Sequence, residues 1–232
     1  IQRSLDVEYK RSKEQLNNVI SGISHDFRTP LTASLGYLQM IEKSGGLTGK
    51  NAEYLEIALQ KNTYLKELSD EFFELSKIKN GHEEMTMENI NLSNLISDLV
   101  MEQYNWMQER NISPDFHIAD GIVINSNRRY IMRIVENLLS NAEKYTFTHL
   151  GISLSEDNGK IILSAFNDTE NGTEIDINRV FEPFYKPSSR NKNGSGLGLY
   201  VVKCLAEKLF ADVFAEFDNL GDFRITVEFI DF

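Results

Sequence analysis

The strongest constraint in this chain is a long stretch without strand character. From Ile1 to Lys79 the sequence holds one proline and no alternation of apolar and polar residues. Apolar residues recur there by threes and fours, the period of a helix face. Leu55, Ala58, Asn62, Leu65, Leu68, Phe72 and Leu75 make one near-heptad stripe with a single polar member, and Leu16, Ile20, Ile23, Phe27 and Leu31 make another. Between them lies Ser44-Gly45-Gly46-Leu47-Thr48-Gly49, a glycine-rich turn. The segment therefore reads as two long helices in an antiparallel hairpin, the first ending near Lys43. A lone hairpin buries only one face of each helix, and these stripes are wide. Two hairpins pairing into a four-helix bundle satisfy them, so a homodimer is expected.

Asn80-Gly81-His82 ends the second helix, with the glycine as C-terminal cap. From Met85 the texture changes. Leu92 to Gln108 reads as a helix with Asn91 or Ser93 as its N-cap, and Arg128 to Tyr145 and Leu197 to Phe210 read as two more. Short β-like segments surround Phe116-His117-Ile118 and Ile122-Val123-Ile124. Asp157-Asn158-Gly159 joins two alternating segments, Gly151–Ser155 and Lys160–Phe166, into a hairpin. Asn219-Leu220-Gly221 joins Val213–Phe217 to Phe223–Phe229 in the same way. The expected organisation is two domains: an all-α hairpin over 1–80, then an α+β sandwich over 85–232.

Composition excludes several classes. Charged residues sum to −11, and no basic stripe offsets that balance, so a general nucleic-acid binder is not expected. A single cysteine, Cys204, leaves no disulfide framework or cysteine-rich zinc site. No apolar run of membrane-spanning length and no signal peptide is present. The chain begins at Ile1, which reads as a fragment or a processed product.

Three motifs carry chemistry. Ser24-His25-Asp26-Phe27-Arg28-Thr29-Pro30 places a histidine within the first helix. Asp26 can accept a proton from the imidazole and leave the other ring nitrogen nucleophilic. Thr29, four residues on, shares that helix face, where its hydroxyl can position a water. Pro30 inside a helix costs about 3 kcal/mol, which suggests that the local geometry matters. Glu136-Asn137-Leu138-Leu139-Ser140-Asn141-Ala142-Glu143-Lys144-Tyr145 gathers two carboxamides, an ammonium and a phenol on one face. Carboxamide oxygens suit Mg²⁺ beside water and phosphate, and the lysine can neutralise phosphate charge. Asn193-Gly194-Ser195-Gly196-Leu197-Gly198 opens a helix, where backbone N–H groups can approach phosphates. Its spacing is neither a Rossmann fingerprint nor a P-loop. The polar segment 186–193, with Lys186, Arg190 and Lys192, reads as a lid bearing cations.

Taken in order, these segments resemble the bacterial sensor histidine kinases of two-component signalling over nearly the whole chain. His25-Asp26-Phe27-Arg28-Thr29-Pro30 is similar to that family's H box and Asn137–Tyr145 to its N box. Phe181-Glu182-Pro183-Phe184-Tyr185 is similar to its F box and Gly194–Leu199 to its second glycine box. The resemblance implies a dimerisation and phosphotransfer hairpin followed by a gyrase-like catalytic domain that binds ATP and Mg²⁺. It implies His25 as phosphoacceptor, Asp26 as its general base, and Thr29 as the hydroxyl used in dephosphorylating a partner response regulator. It implies that Asn141, assisted by Asn137, binds Mg²⁺, that Lys144 meets phosphate, and that Tyr145 faces the adenine region. Arg190 belongs to the implied lid, and Gly194, Gly196, Leu197 and Gly198 to the loop that closes the phosphate end.

One position departs from the pattern. The family's first glycine box reads Asp-x-Gly-x-Gly, its Asp accepting from the adenine amino group. Counting back from Phe181 puts Asn167 at that Asp, with Thr169 and Asn171 on the two glycines. Asn167 still accepts through its carbonyl oxygen but lacks the charge, so a weaker contact is expected. Asp168 would substitute only after a register shift that turns side chains to the other face, and Asn167 is therefore preferred. Asn127, where many relatives carry Asp, receives no mechanism from sequence.

The resulting expectation is an autokinase that passes its phosphoryl group to a response-regulator aspartate, with phosphatase activity toward that regulator. Its place would be the cytoplasmic portion of a membrane sensor, touching the membrane only through an N-terminal sensor region absent from the chain. The alternatives are a nucleotide-poor dimeric scaffold or phosphatase that docks the regulator, and a gyrase-like ATPase.

Overall fold

A computed structural model describes residues 27, 29–80, 86–169, 175–187 and 194–230. The chain divides into two compact units that part between Glu84 and Met85, with the short segment 193–195 counted to the first. His25, Asp26 and Arg190 lie outside the described residues.

In the first unit, α1 covers 29–44 and α2 covers Lys50–Asn80, a helical hairpin as expected. Two local bonds end α1: Ser44 Oγ donates to Ile41 O at 2.7 Å, and Gly45 N to Glu42 O at 3.2 Å. Gly45, Gly46 and Gly49 all take positive φ (67°, 84° and 59°), which glycine adopts without a Cβ penalty. Asn62, the polar member of the α2 stripe, satisfies itself by donating Nδ2 to Ala58 O at 3.0 Å. Leu75 and Ile78 are buried, whereas Phe27, Tyr37, Met40, Ile41, Tyr54, Ile57 and Leu65 are exposed on a single chain.

The second unit begins with β1 (Glu88–Asn91), a strand not read from sequence, which pairs antiparallel with β3 (Val123–Ser126). Next come α3 (Leu92–Glu102), α4 (Tyr104–Glu109) and β2 (Ser113–Ile118). The single helix expected over Leu92–Gln108 is thus two. The backbone tightens at Gln103, whose N–H bonds Val100 O three residues back, and whose Oε1 takes the Trp106 indole N–H at 3.0 Å. Asn91 is the N-cap of α3, accepting from Asn94 N at 2.9 Å. Ser93, the other candidate, instead donates to Ala119 O and accepts from Ile122 N.

Arg128–Tyr145 forms α5, His149–Asp157 β4, Lys160–Asn167 β5, Gly198–Lys208 α6, Asp212–Phe217 β6 and Phe223–Ile230 β7. Five strands make one mixed sheet in the order β2-β4-β5-β7-β6. β2 runs parallel to β4 and the other pairs are antiparallel. Pro114 lies in the edge strand β2, where a missing N–H is tolerated. Both hairpins fall where expected. Asn158 and Gly159 take φ of 51° and 74°, the pair of positive angles a type I′ turn requires.

Alternation along the strands separates the two faces. Leu150, Ile152, Leu154, Ile161, Leu163, Ala165, Ile225, Val227 and Phe229 are buried together under α3, α5 and α6. α5 answers with Ile131, Ile134, Val135, Leu138 and Ala142. Full burial of each such aliphatic side chain contributes roughly 1.5–3 kcal/mol. On the opposite face Phe166 lies over Gly151, where a Cβ would collide with its ring and with the Asp115 carbonyl oxygen. Arg224 stacks on the same ring, its guanidinium carbon 4.3 Å from the centroid.

Asn127 acquires a mechanism here. It caps α5, accepting from Tyr130 N through Oδ1 at 3.0 Å, while its Nδ2 donates to Thr86 O at 3.1 Å. The residue therefore orients α5 and ties it to the segment entering β1. Asn127→Ala is expected to lower the unfolding free energy by about 1 kcal/mol, and Asn127→Asp, which keeps the cap, by less. Urea denaturation of the three proteins measures both.

Candidate functional site

The polar stripe of α5 follows from its apolar one. With Ile134, Leu138 and Ala142 turned into the core, Asn137, Asn141 and Tyr145 fall half-buried on the adjoining face, and Lys144 is exposed. Asn137 donates Nδ2 to Arg133 O at 2.7 Å. Its Oδ1 is turned toward the first turn of α6, 3.1 Å from where a Cβ on Gly198 would stand. The N-terminus of α6, which Leu197 starts without a side-chain cap bond, therefore opens beside the carboxamide. Burial pushes the Tyr145 phenol above its ordinary value, so the ring stays neutral at physiological pH. Thr146 closes the helix, donating Oγ1 to Ala142 O at 2.6 Å.

Leu197 is the N-cap of α6 and is buried, and Gly198 begins the helix. Gly194 and Gly196 take positive φ of 117° and 75°. Gly196 is held against the Phe181–Tyr185 segment: Phe184 N donates to Gly196 O at 2.9 Å, and a Cβ on Gly196 would stand 2.8 Å from Tyr185 O. Phe184 itself is held at φ 64°, a strained setting for an aromatic residue. Tyr185 is pinned by its hydroxyl, which accepts from Asp176 N at 2.7 Å, and by Arg179 over its ring at 5.3 Å. Phe184 and Gly196, which flank the segment 186–193 expected to be a lid, thus meet across one backbone hydrogen bond.

Asn167 ends β5, is 3% exposed, and shares the inner face with Leu150, its partner across the ladder. Nδ2 donates to Asp168 O at 2.8 Å. Its Oδ1 meets no protein donor among the described residues. Asp168 points elsewhere. Its carboxylate accepts the successive N–H groups of Phe147, Thr148 and His149 at 2.9–3.1 Å and the Thr148 hydroxyl at 2.6 Å. Burial raises the Asp168 pKa, but the bonds from Thr148, His149 and Phe147 outweigh it and leave the group below its ordinary value. The register is thus the one that puts Asn167, and not Asp168, on the inner face. Sequence reasoning passed over His149. Its Nε2 lies 2.8 Å from Asp222 Oδ2 and its Nδ1 3.6 Å from Asp168 Oδ2. The hydrogen bond to Asp222 chiefly raises its pKa. No local pattern could flag it, because its partners come from remote turns. Thr29 lies on α1 and is exposed.

Among the described residues no group of three His, Cys, Asp or Glu side chains could hold a metal ion. The half-buried carboxamides of Asn137 and Asn141 fit a hard cation only if other oxygens, from phosphate or water, complete its shell. No described helix is long and apolar enough to cross a membrane.

Two family models match. The His Kinase A (phospho-acceptor) domain covers residues 15–81, and the histidine kinase-, DNA gyrase B- and HSP90-like ATPase covers residues 126–230. The sensor histidine kinase YcbM of Bacillus subtilis is 29% identical over 214 residues, 89% of this chain and 69% of that protein. The sensor protein VanSC of Enterococcus gallinarum is 29% identical over 212 residues, 89% of this chain and 59% of its own length. VanS of Enterococcus faecium is 26% identical over 222 residues, with 58% of its length covered. The chain thus spans about six- to seven-tenths of these relatives. Among solved structures, full-length ShkA in complex with AMPPNP superposes with a TM-score of 0.72 at 19% identity, over 91% of this chain and 45% of that one. Acinetobacter baumannii histidine kinase AdeS gives 0.62 at 19% identity, over 89% and 98%. At these identities the likeness concerns the fold.

The Gly196 contact makes a checkable demand. Gly196→Ala is expected to cost about 2 kcal/mol and to open the Phe184–Gly196 bond. Urea unfolding reads the first effect, and faster hydrogen exchange at the Phe184 amide reads the second.

Proposed function

The chain belongs to the sensor histidine kinases, and we propose on that footing that it phosphorylates its own His25 from ATP and passes the phosphoryl group to an aspartate of a response-regulator receiver domain. The observation that carries this reading is the meeting of the α5 carboxamide stripe with the glycine-rich start of α6. Carboxamides, an exposed lysine and a helix N-terminus together provide what a polyphosphate needs in a chain of net charge −11.

In this reading ATP lies against α5. Lys144 meets phosphate oxygens, and the N–H groups at Gly196, Leu197 and Gly198 line the phosphate end, with Gly194 in the same loop and Arg190 on the lid. Tyr145 flanks the adenine, and Asn167 Oδ1 accepts from the adenine amino group. Mg²⁺, when bound by Asn141 and Asn137, would neutralise phosphate charge. Asp26 takes the imidazole proton. A ring nitrogen of His25 attacks the γ-phosphorus in line, the bond to the bridging oxygen breaks, and ADP leaves. Positioning and charge neutralisation supply most of the rate.

Thr29, exposed on α1, supports a second activity: its hydroxyl positions the water that removes phosphate from the regulator. Pairing of two hairpins into a four-helix bundle is part of the same proposal. Its support is the apolar surface of α1 and α2 left uncovered on one chain. Relatives named as sensor proteins support a place on the cytoplasmic side of a membrane sensor.

Incubation with γ-labelled ATP tests the reading. Acid-labile label is expected on the wild type and not on His25→Gln, with both shown to be folded by circular dichroism. An unlabelled wild type would sink the kinase reading in favour of a docking scaffold, and label on the variant would sink the site. For the pocket, Asn167→Asp is expected to tighten ATP about tenfold, the gain of a charged over a neutral acceptor. Calorimetry showing equal or weaker binding would refute the role given to Asn167.

A further inference from the structure

We infer that His149 is a positioning residue for the nucleotide pocket: its imidazolium bridges Asp222 and Asp168 and so holds the Asn167–Asp168 peptide in the setting that presents Asn167 Oδ1. The inference rests on the reading of Asn167 as the acceptor for the adenine amino group.

Three strand ends meet at this imidazole. His149 is the first residue of β4, Asp168 follows the last residue of β5, and Asp222 precedes the first residue of β7. Asp222 is 4% exposed and the His149 side chain 39%, so the charge-assisted bond to Nε2 is shielded from the carboxylate side and open to water on the imidazole side. Asp168 is held twice from the β4 side, through the nest of N–H groups at 147–149 and through its own N–H, which donates to His149 O at 3.2 Å. The Asp168 carbonyl in turn takes Asn167 Nδ2. That bond decides which amide atom Asn167 has left to offer. The route from imidazole to amide therefore runs through an ion pair at 3.6 Å, with the Thr148 hydroxyl 3.4 Å from Nδ1 and donating to Asp168 Oδ2 at 2.6 Å, and then through the hydrogen-bonded Asp168 backbone.

The charges facing His149 come from several elements. Asp222 stands before β7, Asp168 after β5 and Asp115 on β2. Asp115 is itself shared with His117, 3.1 Å away. Asp218, in the β6–β7 turn, accepts from Asp222 N at 3.1 Å and is neutralised by Arg224 at 2.9 Å, which leaves Asp222 to the imidazole. These carboxylates favour the charged ring, and its folded pKa is raised. The sign follows from linkage. The clasp is complete below the ordinary imidazole range and is lost as pH rises through the raised value of the folded protein. Neutral His149 can still donate from Nε2 to Asp222, but it no longer attracts Asp168.

The test is calorimetry of Mg-ATP from about pH 6 to about pH 8.5 on the wild type, His149→Asn, Asp222→Asn and Asn167→Ala. ATP titrates in this range as well, so the His149→Asn profile is the reference. Relative to it, the wild type is expected to bind about fivefold tighter at the acid end, with the two converging at the alkaline end. Asp222→Asn should move the midpoint to lower pH, in step with the His149 ring titration followed by NMR. If His149→Asn does not fold, Asp222→Asn and the NMR midpoint read the same coupling. Parallel profiles for wild type and His149→Asn, or an unmoved midpoint in Asp222→Asn, would overturn the positioning role and leave the adenine site standing. Wild-type affinity in Asn167→Ala would overturn the adenine reading and this inference with it.

Discussion

The two-residue turn at Asn158-Gly159 sets the register on which the rest of the catalytic unit depends. With both residues at positive φ it closes β4 onto β5 with Asp157 opposite Lys160. From there the ladder counts back to Leu150 opposite Asn167. A slip of one residue would send every side chain of β5 to the other face. Leu163 and Ala165 would leave the core, and Asp168 would replace Asn167 at the inner end. The apolar cost of that exchange is large, so a turn far from the pocket determines which polar residue the pocket receives.

The helix α5 translates that core into a site. Its apolar face is clamped by β5 and α6, its start is held by Asn127, and its end by Thr146. A helix so anchored cannot rotate, and Asn137, Asn141 and Tyr145 therefore keep their places beside the sheet. Poor helix formers such as asparagine are tolerated inside it because tertiary burial, and not propensity, stabilises the helix. The glycines of the next segment answer the same geometry. At Gly198 a side chain would crowd Asn137, and at Gly196 it would crowd the backbone of Phe184 and Tyr185.

Stability in the hairpin rests on a different kind of burial. α2 is shielded at Leu75 and Ile78, yet Ile57 and Leu65 remain exposed on one chain, as do Met40 and Ile41 on α1. Apolar surface of this extent on two adjacent helices is the physical ground for the proposed pairing of two hairpins.

Much of this was legible along the chain. Helical period, glycine turns and the Asn158-Gly159 signal are local, and they determined the hairpin, the bounds of α5 to the residue and both β-hairpins. The N-box stripe was legible for the same reason, since four residues on one helix turn together wherever the helix lies. Other features were decided only by the tertiary structure. β1 is four residues long and exists because β3 pairs with it. Asn127 and Ser93 gained their roles from partners tens of residues away, Thr86 and Ala119 among them. His149 is the plainest case: an imidazole preceded by threonine and followed by leucine carries no signal until chain folding brings Asp168 and Asp222 to its two nitrogens. Backbone periodicity is written in neighbours, whereas the charge and hydrogen-bond environment of a side chain is written in whatever the fold brings next to it.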